Sequence, residues 1–455
     1  MRTRKSTTRP DSAASRGSRP ASPKQTAKKQ PTRRRTADRA RTKARRQRQA
    51  RRQRAAKPRQ RRAKPLHELT GKGVHAHTVG VLRKHLKLGD HSARCSAALV
   101  FTILLAAAGQ CTSIAAACGR LQDAPSEQTI YNALETILPE YDELERRVNR
   151  TLRSQLPAGL RRRRQRLVID LTLIPYHGRP LLDEKEIYRG QAKQGTSHFH
   201  AYASLYVSYK GQRFTVALTR VEAKTCMKDV VQRLMALGRK AGIRPNLLLL
   251  DRGFYSLAVI RYLKRARVPF LMPAVARGRK RTDGTVRGIR ALQQRKQSGW
   301  SEHTLVRGKQ RTRVSIAVCC GNYRGKWKRR GRYTWVFAYW GYKPRSLPRV
   351  AETYRTRFGI ESSYRQMNQG RIKTCTPCPL KRFLYVALAM ILRNVWVWLH
   401  WEALSSPHRG RRRLNPQRLT LEGLLVFLVH VAEAMLGFSD RISTDRPPPA
   451  GLEAR

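Results

Sequence analysis

Hydrophobic and polar positions change texture several times along the chain. From residue 66 to about 160 the apolar residues cluster at helical spacing. Ala97 to Ala108 is an unbroken apolar block, which predicts a buried helix. Two short helical patterns follow, Ser113 to Arg120 and Glu127 to Leu138, separated by a turn at Leu121 to Pro125. Ser126 is the expected N-cap of the second. A helix of mixed charge is expected from Glu140 to Leu156. At Leu167 the period shortens. LVIDLTLI is a strand pattern, and His200 to Tyr209 and Arg213 to Val221 form a hairpin about the Lys210-Gly211-Gln212 turn. Cys226 to Arg239 is an amphipathic helix. Leu247 to Leu250 is wholly apolar, as a buried parallel strand should be. A helix from Ser256 to Arg267 and a strand from Pro269 to Ala274 complete the order β, β, β, α, β, α, β. That order predicts an α/β core, a mixed sheet flanked by helices.

Between Arg277 and Arg345 lies an expected insertion of mainly β texture. A basic glycine-containing loop, RGRKRTDGTVRG, opens it, and Thr312 to Cys320 and Arg332 to Trp340 are its strands. Its tryptophans, Trp327, Trp335 and Trp340, can stack on unpaired bases or fill the core. Three further helices are expected, Thr353 to Asn368, Leu380 to His400 and Leu421 to Leu436. The domain boundaries that follow are a tail at 1–65, a helical N-terminal domain at 66–160, a core at 165–402 with its insertion at about 277–345, and a C-terminal helix and tail at 403–455.

Charge changes the picture most. The 455 residues carry a net charge of +68. Residues 1–65 hold 26 Lys and Arg against Asp11 and Asp38, with no Phe, Trp or Tyr. Such a tail cannot bury enough apolar surface to fold alone, and the run from Arg33 to Arg62 suits phosphate contacts. A polyanion is the natural partner, nucleic acid first and an anionic membrane second. Cys95 to Gly119 is uncharged and long enough to span a bilayer, but Gln110 to Ser113 break it, so a buried helix is expected and no membrane span. The tail lacks the apolar core of a signal peptide. Eight cysteines without framework spacing point to a reducing compartment. The helix pair around Ser126 fits a helix-turn-helix that would present Gln128, Tyr131 and Asn132 to DNA, although any small helical domain contains such a pair.

The chemistry centres on TYRTRFGIESSYRQMN, Thr353 to Asn368. Tyr354, Arg357 and Glu361 fall at i, i+3 and i+7, on one helical face. Alone this is as readily a salt-bridged solvated face. Asp170 within one apolar strand and Asp251 at the end of another change the balance. Three acids on two strands and a later helix are the layout of a metal-dependent phosphoryl-transfer site. They would bind Mg²⁺, or Mn²⁺ in its place, as a pair of ions. Arg357 would neutralise a phosphate oxygen and Tyr354 would hydrogen-bond one. His198 and His200 with Cys226, and the pair Cys375 and Cys378, are weaker zinc candidates. Glu184, Glu186 and Glu222 are expected in salt bridges to arginines, with Glu222 a substitute for Asp251.

On these residues the chain resembles the DDE transposases of bacterial and archaeal insertion sequences, which have a ribonuclease-H-like core. More narrowly, Tyr354, Arg357 and Glu361 match the spacing of the group with a Y-x2-R-x3-E-x6-K signature. Asn368 stands where its Lys should be, with Arg371 or Lys373 as replacement phosphate contacts. The resemblance covers roughly Leu167 to His400 and includes DRGFYS, which opens at Asp251, and the β insertion. It implies Asp170, Asp251 and Glu361 as catalytic metal ligands, and Mg²⁺-dependent cut-and-paste transposition or a related strand-transfer route. It further implies double-stranded DNA partners (terminal repeats and target), a homodimer on DNA, and the cytoplasm of a prokaryote, at the nucleoid. In relatives a tryptophan of the insertion stabilises a flipped base, a role assigned here to neither Trp335 nor Trp340. The other readings are a noncatalytic nucleic-acid-binding relative and a nuclease that cuts without joining.

Overall fold

The computed structural model describes residues 68–209, 212–276, 285–324, 330–406 and 415–440. The basic tail, Trp327 and most of the basic loop at 277–288 lie outside them. Among the described residues nine strands form one sheet. They are β1 (Gln165–Pro175), β2 (Tyr188–Lys193), β3 (Thr196–Tyr209), β4 (Gln212–Val221), β5 (Pro245–Leu250), β6 (Phe270–Pro273), β7 (Gly299–Arg307), β8 (Gln310–Arg324) and β9 (Arg330–Trp340). Their lateral order is β2-β3-β1-β5-β6-β9-β8-β7, with β4 also paired to β3. β1 is antiparallel to β3 and parallel to β5, and β6 is parallel to β5. β3 and β4 pair antiparallel as the expected hairpin, whose connecting residues 210 and 211 lie outside the described set.

Burial explains the centre of this order. Leu247 to Leu250 are buried on both faces, which suits a central parallel strand. Alternation along β1 sorts the two faces. Leu167 and Ile169 join a core with helices Met227–Lys240 and Leu257–Arg265. Val168 packs with Tyr206, Tyr354 and Ile360 on the opposite face. Further along that face, Ile174 and Tyr202 pack with the long helix Pro379–Leu399. The N-terminal helices Gly71–Leu86, Ala97–Gly109, Glu127–Ile137 and Tyr141–Ser154 share that core with Pro379–Leu399 and Leu421–Leu436. Residues Leu69–Arg455 accordingly form one unit, distinct from Met1–Glu68. Pro379–Leu404 and Pro416–Leu436 are long and apolar enough to cross a membrane, and the first is 89% buried inside the fold.

Three elements differ from the sequence expectation. The edge strand β2 (YRGQAK) has no apolar alternation, because only one neighbour pairs with it. The insertion, expected only as a mainly β segment, continues the main sheet, since β9 pairs antiparallel with β6 and carries β8 and β7 onto it. The helix expected from Thr353 to Asn368 is broken into Leu347–Arg355, a 3₁₀ turn at Thr356–Phe358 and Gly359–Gln369. Gly359 lies at the break, packed close to the sheet. A Cβ there would stand 3.3 Å from the Tyr206 hydroxyl and from Arg213 Nε, and Arg213 Nη1 donates to the Gly359 carbonyl at 3.1 Å.

Candidate active site

Asp170 lies in the middle of β1, and Asp251 follows the last residue of β5. The parallel register pairs Ile169 with Leu250, so the next residue on each strand is an aspartate. The break before Gly359 brings Arg357 and Glu361 over this point. Arg357 Nη1 donates to Asp170 Oδ2 at 3.0 Å, and Nη2 donates to Glu361 Oε1 at 3.0 Å. Asp251 Oδ1 is 3.7 Å from the same Nη2. The three expected carboxylates therefore converge on one guanidinium, whose side chain is 7% exposed.

Burial decides the electrostatics. Asp170 is pushed up to about 6, first by burial and then by Asp251 and Glu361, against the pull of Arg357 and the Leu171 backbone N–H. That N–H donates to Asp170 Oδ1 at 2.9 Å. Tyr354 is buried, its hydroxyl donates to the Leu250 carbonyl at 3.3 Å, and burial holds its pKa well above the usual phenol range. It thus fixes the residue before Asp251 rather than facing solvent. Arg357 lies 5.5 Å from the Tyr354 ring centre and 5.1 Å from that of Phe358. Tyr364 is the residue sequence reasoning missed. Its hydroxyl donates to the Asp170 carbonyl at 3.0 Å and lies 2.8 Å from Ser204 Oγ. Its position three residues after Glu361, on the same helical face, was the available signal.

In kind the donors suit a hard divalent cation, being carboxylate oxygens that meet at a positive charge. In arrangement the guanidinium stands between them, and among the described residues no group of three His, Cys, Asp or Glu side chains is placed to hold a metal ion. The weaker zinc candidates are not gathered into such a group either. His200 is buried 4.7 Å from the Tyr176 ring centre, and Cys226, Cys375 and Cys378 are free thiols. Glu222 pairs with Arg220, whereas Glu186 accepts the Leu181 and Leu182 backbone N–H groups instead of an arginine.

Not every expected residue joins the carboxylates. Arg371 packs toward Tyr202 and Cys111. Lys373 has an exposed side chain and donates its backbone N–H to the Thr112 carbonyl at 3.0 Å. Asn368 is exposed. On helix Glu127–Ile137, Gln128 and Asn132 are exposed and bonded to each other at 2.7 Å, while Lys381 lies 5.7 Å from the Tyr131 ring centre. Beside Asp251 a cleft of about 470 Å³ opens, lined by Arg357, Tyr354, Arg355, Trp335 and Phe337. Trp335 stacks on Tyr333 at 4.3 Å, with the Arg355 guanidinium 5.5 Å from its ring.

A family model described as the transposase DDE domain matches residues 161–395, more than half of the 455 residues. Among solved structures, the cryo-EM structure of the piggyBac transposase synaptic complex with hairpin DNA is similar with a TM-score of 0.49 and 9% identity. The match covers 83% of this chain and 82% of that one. No curated protein matches the chain.

Proposed function

Since the chain belongs to the transposase DDE-domain family, we propose that it cleaves and transfers DNA strands of an insertion sequence at Asp170, Asp251 and Glu361. The observation that carries this is the convergence of those three acids, from two adjacent strands and a later helix, on one cationic point. The three would hold Mg²⁺, or Mn²⁺ in its place. Such ions, if held there, would supply activation of an attacking hydroxyl and stabilisation of a leaving 3′ oxygen. The chain's own residues set the geometry. Tyr364 holds the Asp170 backbone, Tyr354 holds the residue before Asp251, and Arg357 keeps the carboxylates gathered. Arg357 has the planar fork to take a phosphate oxygen once it leaves the acids.

A ribonuclease-H-like core is supported by the order β4-β3-β1-β5-β6, antiparallel through the first three strands and parallel through the last three. The partners are terminal-repeat and target DNA, attracted by the +68 charge, with a homodimer assembling on them. The setting is the prokaryotic cytoplasm, at the nucleoid. A second reading, a DNA-binding relative without catalysis, draws on Arg357 standing among the acids and on Asn368 in the signature Lys position. Alanine at each of Asp170, Asp251 and Glu361 separates the two. The catalytic reading expects DNA cleavage to vanish in all three variants while DNA affinity stays within about threefold, since carboxylates add no phosphate contact. Cleavage that survives all three would discard the site.

A further inference from the structure

A second cluster lies on the sheet face of Asp170, at the far end of β1. Tyr202 is paired to Thr172 and His200 to Ile174, two and four residues beyond Asp170, or about 7 and 13 Å at strand spacing. Arg371, in the segment before helix Pro379–Leu399, and Arg382, in that helix's first turn, both interact electrostatically with Tyr202. The Arg382 guanidinium lies 4.4 Å from the Tyr176 ring centre, and Tyr176 lies edge-on to His200 at 4.7 Å. Arg382 Nε donates to the Thr376 carbonyl at 2.5 Å and Nη2 to the Thr374 carbonyl at 3.4 Å.

This cluster is short of negative charge. Among the described residues neither Arg371 nor Arg382 forms an ion pair. Burial holds both below the usual arginine range, and the charge of Arg371 presses Arg382 the same way. Two nitrogens are buried without a partner, Arg371 Nε and Nε2 of His200, a residue only 2% exposed. Arg382 itself is 6% exposed. Guanidinium groups gathered away from water without a counter-charge are costly, whereas an oxyanion would compensate them and accept from Arg371 Nε, and from His200 Nε2 in the tautomer that carries its proton there. The positive end of a 21-residue helix adds to the same field. Lys373, two residues from Arg371, is exposed.

We propose that Arg371, Arg382 and His200 form a phosphate site, separate from the carboxylates, that holds a backbone phosphate of bound DNA. The choice of DNA as its source rests on the function proposed above, while the oxyanion chemistry rests on the cluster alone. The site places a second fixed phosphate along the face that carries Asp170.

The test uses the full chain and Arg371→Gln, whose lost Nε has no protein partner, with Arg371→Lys as the charge-keeping control. One arm compares thermal unfolding in inorganic phosphate and in chloride at equal ionic strength. Wild type should melt higher in phosphate, Arg371→Gln should lose that increment, and Arg371→Lys should keep part of it. The other arm measures binding to a short duplex of arbitrary sequence across salt concentrations. One lost phosphate contact lowers the slope of log K against log salt by about 0.9, so affinity between about 50 and 200 mM salt should fall about 3- to 4-fold less in Arg371→Gln than in wild type. An equal drop in melting in both buffers with an unchanged slope would make Arg371 structural and overturn the proposal. A phosphate-specific melt with an unchanged slope would assign the site to a free anion and overturn its assignment to DNA. Should the proposed function itself fail, wild type would show no duplex binding, while the phosphate-specific melt would still support the oxyanion site.

Discussion

Arg357→Ala removes the one cation at which three acids meet. A broken buried ion pair costs about 3–5 kcal/mol when the stranded charge stays charged. Asp170 has an escape, because its pKa already stands at about 6. Protonating it near neutral pH costs about 1.4 kcal/mol, a limit on what its stranded charge can add. The 3.0 Å hydrogen bond from Arg357 Nη1 contributes about 1 kcal/mol more. The Glu361 bond, with its carboxylate 49% exposed, adds about 0–1 kcal/mol after solvent screening. The expected loss is about 2–3 kcal/mol, read as a lower midpoint in urea unfolding without divalent cation. Mg²⁺ should then stabilise the variant more than wild type, since no guanidinium competes for the acids and ligand binding to the folded state adds stability by mass action. A variant as stable as wild type without divalent cation, or one with the same response to Mg²⁺, would refute the reasoning.

Three further outcomes are expected. Cleavage should fall as pH drops through about 6, because the Asp170 carboxyl, its pKa raised by burial, takes its proton there; a rate–pH profile flat down to about 5 would contradict this. Tyr364→Phe should cost about 1–2 kcal/mol in urea unfolding and slow cleavage with unchanged DNA affinity, because it frees the Asp170 backbone; wild-type cleavage would show that the bond positions nothing. Removing residues 1–65, with their 26 Lys and Arg, should flatten the salt dependence of DNA binding, and an unchanged slope would show that the tail contacts something else.

The parts of the fold legible in the sequence were those where one physical demand dominates. The four leucines before Asp251 read as a strand covered on both faces, and the parallel pairing of that strand with β1 places Asp251 beside Asp170. Edge strand β2 escaped notice because its residues meet water. The continuity of the insertion with the main sheet depends on the pairing of β6 with β9, across more than fifty residues of sequence, and local patterning carries no trace of that. At the site, helical spacing put Tyr354, Arg357 and Glu361 together, but it could not show that Tyr354 and Arg357 turn inward. Those directions come with the 3₁₀ turn at Thr356–Phe358, next to which Gly359 packs against Tyr206 and Arg213. The Arg371, Arg382 and His200 cluster was invisible for a similar reason, as its members come from three separate segments.

The most direct test of the central claim is cleavage of a plasmid carrying the element's flanking terminal repeats, with wild type and Glu361→Gln compared in Mg²⁺ and in chelator. The account predicts cuts at the repeat ends by wild type in Mg²⁺ only, and none by Glu361→Gln although it binds the same DNA. Equal cutting by the two proteins, or cutting in chelator, would contradict a three-carboxylate site at Asp170, Asp251 and Glu361.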